Sequence, residues 1–344
     1  MTFQITVQPS GRSFTANPDE AILPAAIRQG IGLPYGCKDG ACGSCKCKKI
    51  EGTVVHGTHQ VKALSPEEEA AGFILTCCAV PQTDVLIESR QVTDESAFPI
   101  KKMPSRVITL EKKSHDVMVL KLQLPANDTF RYHAGQYVEF ILRDGARRSY
   151  SMANAPHNGP AVELHIRHMP GGKFTDHVFN AMKEKEILRV EGPYGSFYLR
   201  DDSAKPMVLL ASGTGFAPIK AVIEQMQHKG ITRPATLYWG GRRPSDLYLD
   251  DWVQAQLAVM PNLTYVPVIS NALPEDNWTG RTGFVHRAVL EDFPDLSGHQ
   301  VYACGAPIVV DSARAEYSAQ AGLPPEEFFA DSFTTEADKH KETA

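Results

Sequence analysis

The stretch that decides the fold of the first domain is Cys37-Lys-Asp-Gly-Ala-Cys42-Gly-Ser-Cys45. A further pair of cysteines follows in Leu75-Thr-Cys-Cys-Ala79, and Cys304 is the one cysteine outside the first quarter of the chain. An odd and clustered set of cysteines predicts metal binding rather than a framework of disulfides.

The spacing C-x4-C-x2-C with a distant fourth cysteine is that of plant-type 2Fe–2S ferredoxins, in which four thiolates hold two irons and two sulfides. The small residues Gly40, Ala41, Gly43 and Ser44 allow the backbone to wrap closely, so that amide N–H groups can point at the sulfurs. A zinc site is the alternative, but zinc prefers paired C-x2-C knuckles and the sequence has one such pair. The spacing therefore favours the iron–sulfur cluster.

In the ferredoxin family that this motif resembles, the first cysteine after Leu-x is a ligand. The resemblance implies four metal ligands: Cys37, Cys42, Cys45 and Cys77. Cys78 is then expected to be a small buried side chain. Cys47 is expected to be structural, because no ligand position remains for it.

Composition narrows the classes of partner. The 344 residues include 35 Lys and Arg against 40 Asp and Glu, which gives a net charge of −5 without long blocks of one sign. This balance argues against nucleic acid or a membrane surface as the main partner. No apolar run of about 18 residues and no signal peptide are evident, so no membrane span and a cytoplasmic location are expected.

The chain divides into segments at changes of pattern. Residues 1–92 open with an alternating strand, Phe3–Val7, and a helix over Asp19–Gln29, which predicts a small α+β (β-grasp) ferredoxin domain. Residues 93–104 are polar, contain proline and lack periodicity, and they predict a linker.

Residues 105–200 are dominated by short strands separated by Gly, Pro and Asn turns, which is typical of a small antiparallel β-barrel. The predicted strands are Val107–Thr109, Val117–Leu122, Gln136–Leu142, Val162–Arg167 and Ile187–Val190.

Residues 205–335 alternate buried apolar strands with amphipathic helices, which predicts an α/β doubly wound parallel sheet. Residues 336–344 predict a frayed tail. The predicted strands are Pro206–Ala211, Ala235–Gly240, Leu263–Ile269 and Gln300–Cys304, and the predicted helices are Phe216–Gln227, Asp246–Ala258, Val285–Glu291 and Val309–Gln320.

The barrel segment carries two motifs in order, Arg148-Ser-Tyr-Ser151 and Gly171-Gly-Lys-Phe-Thr175, the second opening a helix-like stretch over Asp176–Met182. With Gly192-Pro-Tyr-Gly195 they resemble the flavin domain of the ferredoxin–NADP reductase superfamily. A guanidinium forks onto phosphate, and free N–H groups at a helix N-terminus hold a pyrophosphate. Taken alone, Arg-Ser-Tyr-Ser could be any edge strand with a polar face.

In that family the arginine pairs with the flavin phosphate, the tyrosine packs on the ring, and the serine bonds the ring nitrogen that accepts hydride. His165 is also predicted to line the site, although it could equally be a half-buried histidine with satisfied hydrogen bonds. The resemblance implies FAD contacts from Arg148, Ser149, Tyr150, Ser151, His165, Arg167, Gly171, Gly172, Lys173, Phe174 and Thr175.

A glycine turn, Ser212-Gly-Thr-Gly-Phe-Ala-Pro218, follows the strand that ends at Ala211. Such a turn lets a pyrophosphate approach the amides at the positive end of a helix. Pro218 replaces the third glycine of the ordinary Rossmann motif, but this form matches the reductase superfamily, as does Cys304-Gly-Ala-Pro307. The resemblance implies coenzyme contacts from Gly213, Thr214, Gly215, Pro218, Arg242, Cys304 and Gly305. A buried structural role for Cys304 is the alternative.

The choice of coenzyme rests on Arg242 and Arg243, which end a strand without an acidic residue for the ribose 2′-hydroxyl. Two arginines could hold a 2′-phosphate, yet similar endings occur in family members that use NADH, so the sequence favours NADH over NADPH only slightly. Phe333 is predicted to cover the flavin face, with packing in the sheet as the alternative.

The order ferredoxin, flavin, nicotinamide is similar to that of the fused reductases of bacterial oxygenases. The resemblance implies an NAD(P)H-dependent oxidoreductase that moves electrons through FAD and a 2Fe–2S cluster to a protein partner, either an oxygenase or a dehydratase component. Ser151 and Cys304 are its predicted catalytic residues. A stand-alone flavin reductase or diaphorase and a non-catalytic redox sensor are the alternatives.

Overall fold

A computed structural model describes residues 2–94, 98–125 and 130–334. It forms two compact units, one made from residues up to 99 with those from 331 onward, and the other from residues 100–330. The predicted tail, 336–344, lies outside the described residues. No helix in the described ranges is long and apolar enough to cross a membrane.

The first unit is an α+β fold around a five-stranded sheet. The sheet order is β2-β1-β8-β4-β6, with β1 and β8 parallel and the other neighbours antiparallel. Its elements are β1 (Phe3–Pro9), β2 (Arg12–Ala16), α1 (Ile22–Arg28), β3 (Ile31–Gly32), β4 (Lys46–Glu51), β5 (Val54–His56), α2 (Pro66–Ala70), β6 (Phe73–Leu75), β7 (Ala79–Pro81), β8 (Val85–Ser89) and β9 (Thr93–Asp94).

Helix α1 begins later than the Asp19 that was predicted. The Glu20 carboxylate accepts hydrogen bonds from the Asn17 N–H at 3.1 Å and from Arg28 at 2.7 Å, so the stretch before Ile22 forms a turn held by side chains. Inward-facing apolar residues of β1 and α1, including Ile5, complete the core of this unit.

The first part of the second unit is an antiparallel barrel with the strand order β13-β12-β15-β10-β11-β14, and a bridge between Met152 and Leu164 joins its two edges. Its elements are β10 (Lys101–Lys112), β11 (Val117–Gln123), β12 (Tyr137–Ile141), β13 (Arg147–Ser151), β14 (Ala161–Arg167), α3 (Lys173–Asn180) and β15 (Ile187–Tyr194).

The predicted linker, 93–104, has strand residues at both of its ends. Thr93 and Asp94 pair with β3, and β10 begins at Lys101, where it pairs with Gly192 of β15. Pro104 lies within β10 and suggested a break, but its side chain is on the exposed face, while Met103 points into the barrel core.

The rest of the unit is a doubly wound sheet with the strand order β19-β18-β17-β16-β20-β21, and the neighbouring strands from β19 to β20 are parallel. Its elements are β16 (Met207–Ser212), α4 (Phe216–Lys229), β17 (Ala235–Gly241), α5 (Asp250–Leu257), β18 (Leu263–Ile269), β19 (Arg281–Thr282), α6 (Val285–Asp292), β20 (Gln300–Gly305), α7 (Pro307–Ala321) and β21 (Phe328–Ser332).

The helix predicted over Asp246–Ala258 is shorter in the structure. The Asp246 carboxylate accepts the N–H groups of Arg242 and Arg243 at 2.8 and 3.1 Å, which closes a turn, and α5 begins only at Asp250. The residues between are buried, Tyr248 among them.

Strand order also locates a crevice. From β16 the chain winds outward in one direction through β17 and β18, and then returns to the other side of β16 with β20. Ligands of open α/β sheets bind at the carboxyl ends of the strands where this reversal occurs. The crevice is therefore at the ends of β16 and β20.

Candidate functional site

Four cysteines of the first unit form two pairs, Cys37 with Cys42 and Cys45 with Cys77. The Cys37 N–H donates to Cys42 Sγ at 3.4 Å, and Cys45 Sγ lies 3.2 Å from Cys77 Sγ. The first three cysteines lie between β3 and β4, and Cys77 follows β6. Because β4 pairs with β6, the fold brings the distant fourth cysteine beside the loop.

Two pairs of thiols suit a cluster of two irons that is held by four thiolates. Zinc prefers paired C-x2-C knuckles, of which the sequence has one, so the four sulfurs fit a 2Fe–2S cluster better than zinc. Hydrogen bonding between the two thiols raises the pKa of Cys37 and lowers that of Cys42 to about 6, which favours a thiolate at neutral pH.

The two other cysteines of this unit have different environments: Cys47 lies on β4, whereas Cys78 is half-buried, not buried as expected, and its Sγ lies 3.5 Å from Cys77 Sγ. Burial raises the pKa of Cys47 on β4, so its thiol stays protonated. Cys78 Sγ donates to the Thr58 carbonyl oxygen at 3.7 Å. Gly40 has a φ of +77° and approaches so closely that a Cβ there would lie 2.8 Å from Cys78 Sγ. These contacts support a packing role for Cys78 beside the loop, and the choice of Cys77 as ligand stays a prediction.

The flavin motif lies on β13, an edge strand of the barrel sheet. Successive side chains of a strand point to opposite faces. Tyr150 accordingly packs against the barrel core, with its ring centroid 5.8 Å from that of Phe140, while the buried Ser151 belongs to the other face. Ser149 is exposed, and Arg148 is half-buried and donates to the Arg147 carbonyl at 2.7 Å.

Helix α3 begins within the Gly171–Thr175 stretch, at Lys173, which is earlier than predicted. Several polar groups of this stretch form hydrogen bonds with neighbouring residues. The Gly171 N–H donates to Asp176 Oδ2 at 3.0 Å, the Gly172 N–H to the Met169 carbonyl at 2.8 Å, and the Thr175 hydroxyl to that same carbonyl at 2.9 Å. These two glycine N–H groups have partners within the stretch, and the flavin contacts of Gly171, Gly172 and Thr175 stay predictions.

Two further residues of this stretch, Phe174 and Lys173, have protein partners in the structure, and their flavin contacts stay predictions. Phe174 is buried in the barrel core, with its ring 4.4 Å from Phe140, because the first turn of α3 packs onto the barrel. Lys173 pairs with Asp144 at 2.6 Å on the surface.

His165 has a side chain that is 0% exposed, and both of its ring nitrogens are hydrogen-bonded. Nδ1 lies 2.8 Å from the Tyr248 hydroxyl, and Nε2 lies 3.1 Å from Glu163 Oε1. The alternative of a histidine with satisfied bonds is the one that the structure supports. Arg167, by contrast, pairs with Asp116 at 2.8 Å and reaches the coenzyme turn, where a Cβ on Gly213 would lie 2.7 Å from its Nη1.

The two predicted coenzyme motifs meet at the crevice. Gly213–Gly215 form a 3-10 turn that runs directly into α4, and a Cβ on Gly215 would lie 2.1 Å from the Cys304 carbonyl oxygen. The Ala306 N–H donates to the Ser212 hydroxyl at 2.8 Å, which joins the two strand ends again. Thr214, Pro218 and Cys304 are buried here. The fold therefore brings both motifs together at the carboxyl ends of β16 and β20.

The two arginines that follow β17 differ. The Arg243 guanidinium forks onto Asp276, with both contacts at 2.7 Å. Arg242 is exposed, and its guanidinium has no ion-pair partner among the residues described. Phe333 is half-buried immediately after β21, and its role stays a prediction.

Sequence reasoning missed a buried polar network that joins the barrel to the nucleotide-binding sheet. It contains Glu163, His165, Lys220, Glu224 and Tyr248. One signal was present, since a lysine and a glutamate four residues apart interrupt the otherwise apolar start of α4.

Family models match the chain in three consecutive ranges. The 2Fe-2S iron-sulfur cluster binding domain matches residues 5–82, the oxidoreductase FAD-binding domain residues 104–198, and the oxidoreductase NAD-binding domain residues 209–315. A CDP-6-deoxy-L-threo-D-glycero-4-hexulose-3-dehydrase reductase from Yersinia pseudotuberculosis is 40% identical over 334 residues, which cover 97% of this chain and 99% of the relative. The chain belongs to the ferredoxin–NADP reductase superfamily.

Other members of the superfamily agree with this assignment. Reductase component 2 of a terephthalate 1,2-dioxygenase from Comamonas is 35% identical over 97% of this chain and 98% of its own. The crystal structure of the Amycolatopsis cytochrome P450 reductase GcoB is similar with a TM-score of 0.78 and 31% identity, covering 97% of this chain and 99% of that one.

The reductase is an NAD(P)H oxidoreductase with 2Fe–2S, FAD and NAD-binding domains, arranged for electron transfer from the coenzyme through FAD to the cluster. The predicted fold class, enzyme class and cofactors are thereby confirmed. The details Leu75-Thr-Cys-Cys-Ala79 and Tyr238-Trp-Gly-Gly-Arg-Arg243 predict a likeness to CDP-6-deoxy-Δ3,4-glucoseen reductase, which the Yersinia relative bears out.

Proposed function

We propose that the reductase oxidises NADH and delivers the electrons one at a time to a separate protein. Bound FAD supplies the chemistry that links a two-electron donor to one-electron carriers. The observation that carries the proposal is the packing of Gly215 against Cys304, which forms the crevice for the coenzyme. The other unit separately contains two pairs of thiols that suit a two-iron cluster.

The coenzyme is held at the start of α4. The turn Gly213–Gly215 runs into a helix of 14 residues, whose N-terminal amides and dipole favour a pyrophosphate. Arg167 adds a positive charge above Gly213, and Asp116 orients it. We expect Arg167 to serve the coenzyme rather than the flavin.

The flavin is held by β13. Arg148 supplies a guanidinium for phosphate, and Ser151 supplies a hydroxyl for the flavin ring. Cys304 lies near the end of β20, next to the coenzyme turn. It contributes through its backbone position as much as through its thiol, because a residue 1% exposed has little side-chain surface to offer. Ser151 and Cys304 remain our candidates for the catalytic residues.

NADH is favoured over NADPH. A 2′-phosphate requires charge that is not already neutralised, and Arg243 is committed to Asp276. Only Arg242 of the two arginines then remains for a phosphate. We also place the reductase in the cytoplasm, because cysteines that serve as cluster ligands and thiols rather than in disulfides suit a reducing compartment.

The acceptor that we propose first is a 3-dehydrase acting on a CDP-6-deoxyhexulose, supported by 40% identity over 97% of the chain to a reductase named for that partner. A terminal oxygenase is the second candidate, supported by the dioxygenase reductase component.

The test measures NADH-dependent turnover of each purified acceptor by the reductase, with cytochrome c as a general one-electron acceptor. Turnover of the dehydrase but not of the oxygenase supports the first candidate, and the reverse supports the second. Reduction of cytochrome c with neither protein turned over would contradict both.

A further inference from the structure

Helix α4 carries a lysine that is 5% exposed and lies close to the coenzyme turn. Lys220 Nζ contacts Glu224 Oε1 at 2.6 Å, the Ala153 carbonyl oxygen at 3.1 Å and Glu163 Oε1 at 3.1 Å. An ammonium has three N–H donors, so these acceptors satisfy it completely. The indole of Trp252 lies 5.1 Å from the same nitrogen.

The acceptors of this lysine belong to both parts of the unit. Ala153 and Glu163 are in the barrel, whereas Glu224 is one turn further along α4. Glu224 uses its second oxygen to accept the Ala155 N–H at 2.8 Å and the Asn158 amide at 2.7 Å. The Lys220 ammonium and the carboxylates of Glu163 and Glu224 therefore join α4 to the barrel.

The network continues through His165 to Tyr248. Burial opposes the ionisation of Glu163, but hydrogen bonding from His165 and the charge of Lys220 outweigh it and lower the Glu163 pKa to about 2. Burial lowers the pKa of His165, so that the ring stays neutral between Glu163 and the Tyr248 hydroxyl.

Each end of the network lies beside a motif of the site. Ala153 follows Ser151 of the flavin strand, with one residue between them. The Tyr248 ring packs at 5.3 Å against Trp239, and the Trp239 indole donates to the Gly213 carbonyl of the coenzyme turn at 3.0 Å. The network therefore connects the flavin strand to the coenzyme turn.

Buried charges of this kind are a poor source of stability, because apolar residues of similar volume often serve as well. They do fix geometry, since each bond is directional. Hydride transfer depends steeply on how the reacting groups are placed, and a displacement of about 1 Å can cost a factor of about one hundred.

We propose that Lys220 is a positioning residue for hydride transfer, whose ammonium holds the coenzyme turn in place relative to the flavin strand. It does not touch the reacting atoms. The role rests on the proposed function, since it requires that a reduced nicotinamide reacts at this crevice.

The experiment uses the holoenzyme with FAD and cluster, and follows anaerobic single-turnover reduction of the flavin by NADH. Lys220→Met is expected to lower the limiting rate between about tenfold and about a hundredfold, while the dissociation constant of NADH changes less than about threefold and FAD content is unchanged. Lys220→Arg, which keeps the charge, is expected to recover part of the rate.

A second variant covers the case in which Lys220→Met does not fold. Tyr248→Phe keeps the ring and removes only the bond to His165, and it is expected to lower the limiting rate by about threefold or more. Tyr265→Phe is the matched control, because Tyr265 donates to Asp250 at 2.8 Å within the nucleotide-binding sheet and helices, and its rate should equal that of the wild type.

The outcomes separate this inference from the proposed function. If NADH does not reduce the flavin of the wild-type enzyme, the proposed function and the positioning role are both refuted. If NADH reduces the flavin of the wild type, and Lys220→Met and Tyr248→Phe both show the wild-type limiting rate, the positioning role alone is overturned. A variant that lowers the rate only by losing FAD would overturn it as well.

Discussion

Gly215 and Cys304 touch backbone to backbone: a Cβ on Gly215 would lie 2.1 Å from the Cys304 carbonyl oxygen and 2.4 Å from its carbonyl carbon. Gly215 lies in the turn that follows β16, Cys304 lies near the end of the adjacent parallel strand β20, and the two residues are 89 positions apart in the chain. Their contact fixes the floor of the coenzyme crevice. It also explains why a small residue is required at a turn whose φ is ordinary, at −58°.

Replacing Gly215 with alanine tests this contact by sterics alone, since alanine adopts that φ freely. The added methyl must displace the end of β20, so we expect a loss of about 1–3 kcal/mol in unfolding free energy. We also expect kcat/KM for NADH to fall about a hundredfold.

Gly298→Ala is the control, because a Cβ at Gly298 meets nothing within 4 Å. Steady-state reduction of ferricyanide and thermal unfolding measure both quantities. Wild-type kcat/KM in Gly215→Ala would show that the contact does not shape the crevice.

The ligand assignment makes a separate prediction for adjacent cysteines. Cys77→Ala is expected to abolish the 2Fe–2S electron resonance signal, because its sulfur completes the pair with Cys45. Cys78→Ala is expected to keep the signal, since that thiol donates to Thr58. Iron and acid-labile sulfide per chain give the same comparison chemically.

In Cys77→Ala, NADH should still reduce ferricyanide through the flavin, whereas reduction of cytochrome c should fall about tenfold or more, because the one-electron exit is lost. A normal cluster in Cys77→Ala together with loss of the cluster in Cys78→Ala would reverse the assignment.

Much of this architecture was predictable from local pattern. The cysteine spacing and the glycine turns are short-range signals, and the alternation of strands and helices after residue 205 is strong, so the fold class and cofactors were predicted correctly. The start of β10 was harder to predict, because Pro104 suggests a break, while its exposed place in β10 depends on pairing with Arg189, which is distant in the chain.

The individual site residues were harder to predict. His165 and Phe174 lie within recognisable motifs, but whether such a side chain faces a ligand or the core depends on tertiary partners. Tyr248, the partner of His165, is 83 positions away and sits in a turn that was predicted to be helix. Periodicity carries no information on such a contact.

Glu163 predicts a distinctive response to acid. Its pKa is lowered from 4.5 to about 2, so the folded state releases this proton more readily than the unfolded state. Its contribution to stability is complete above about pH 4.5 and is lost as the pH falls toward 2.

Glu163→Gln should therefore lower the thermal midpoint at neutral pH and make the midpoint less dependent on pH between 4.5 and 2. Glu184→Gln, which alters an exposed carboxylate, is the control and should follow the wild type. Parallel pH profiles for Glu163→Gln and the wild type would contradict the assigned ionisation.

Coenzyme preference gives a further test at the end of β17. Arg242→Ala is expected to reduce kcat/KM for NADPH about tenfold and to change that for NADH less than about twofold, since only NADPH carries the phosphate that a free guanidinium would bind. Equal losses of kcat/KM with NADH and NADPH would mean that Arg242 contacts a group that both coenzymes contain, and would contradict this assignment.

The most direct test of the central claim is an anaerobic titration of the holoenzyme with NADH, followed by visible absorption and electron resonance. The account predicts that the flavin band bleaches and that the signal of a reduced 2Fe–2S cluster appears in the same titration. A bleached flavin with a cluster that stays oxidised, although dithionite reduces it, would contradict electron transfer from the flavin to the cluster.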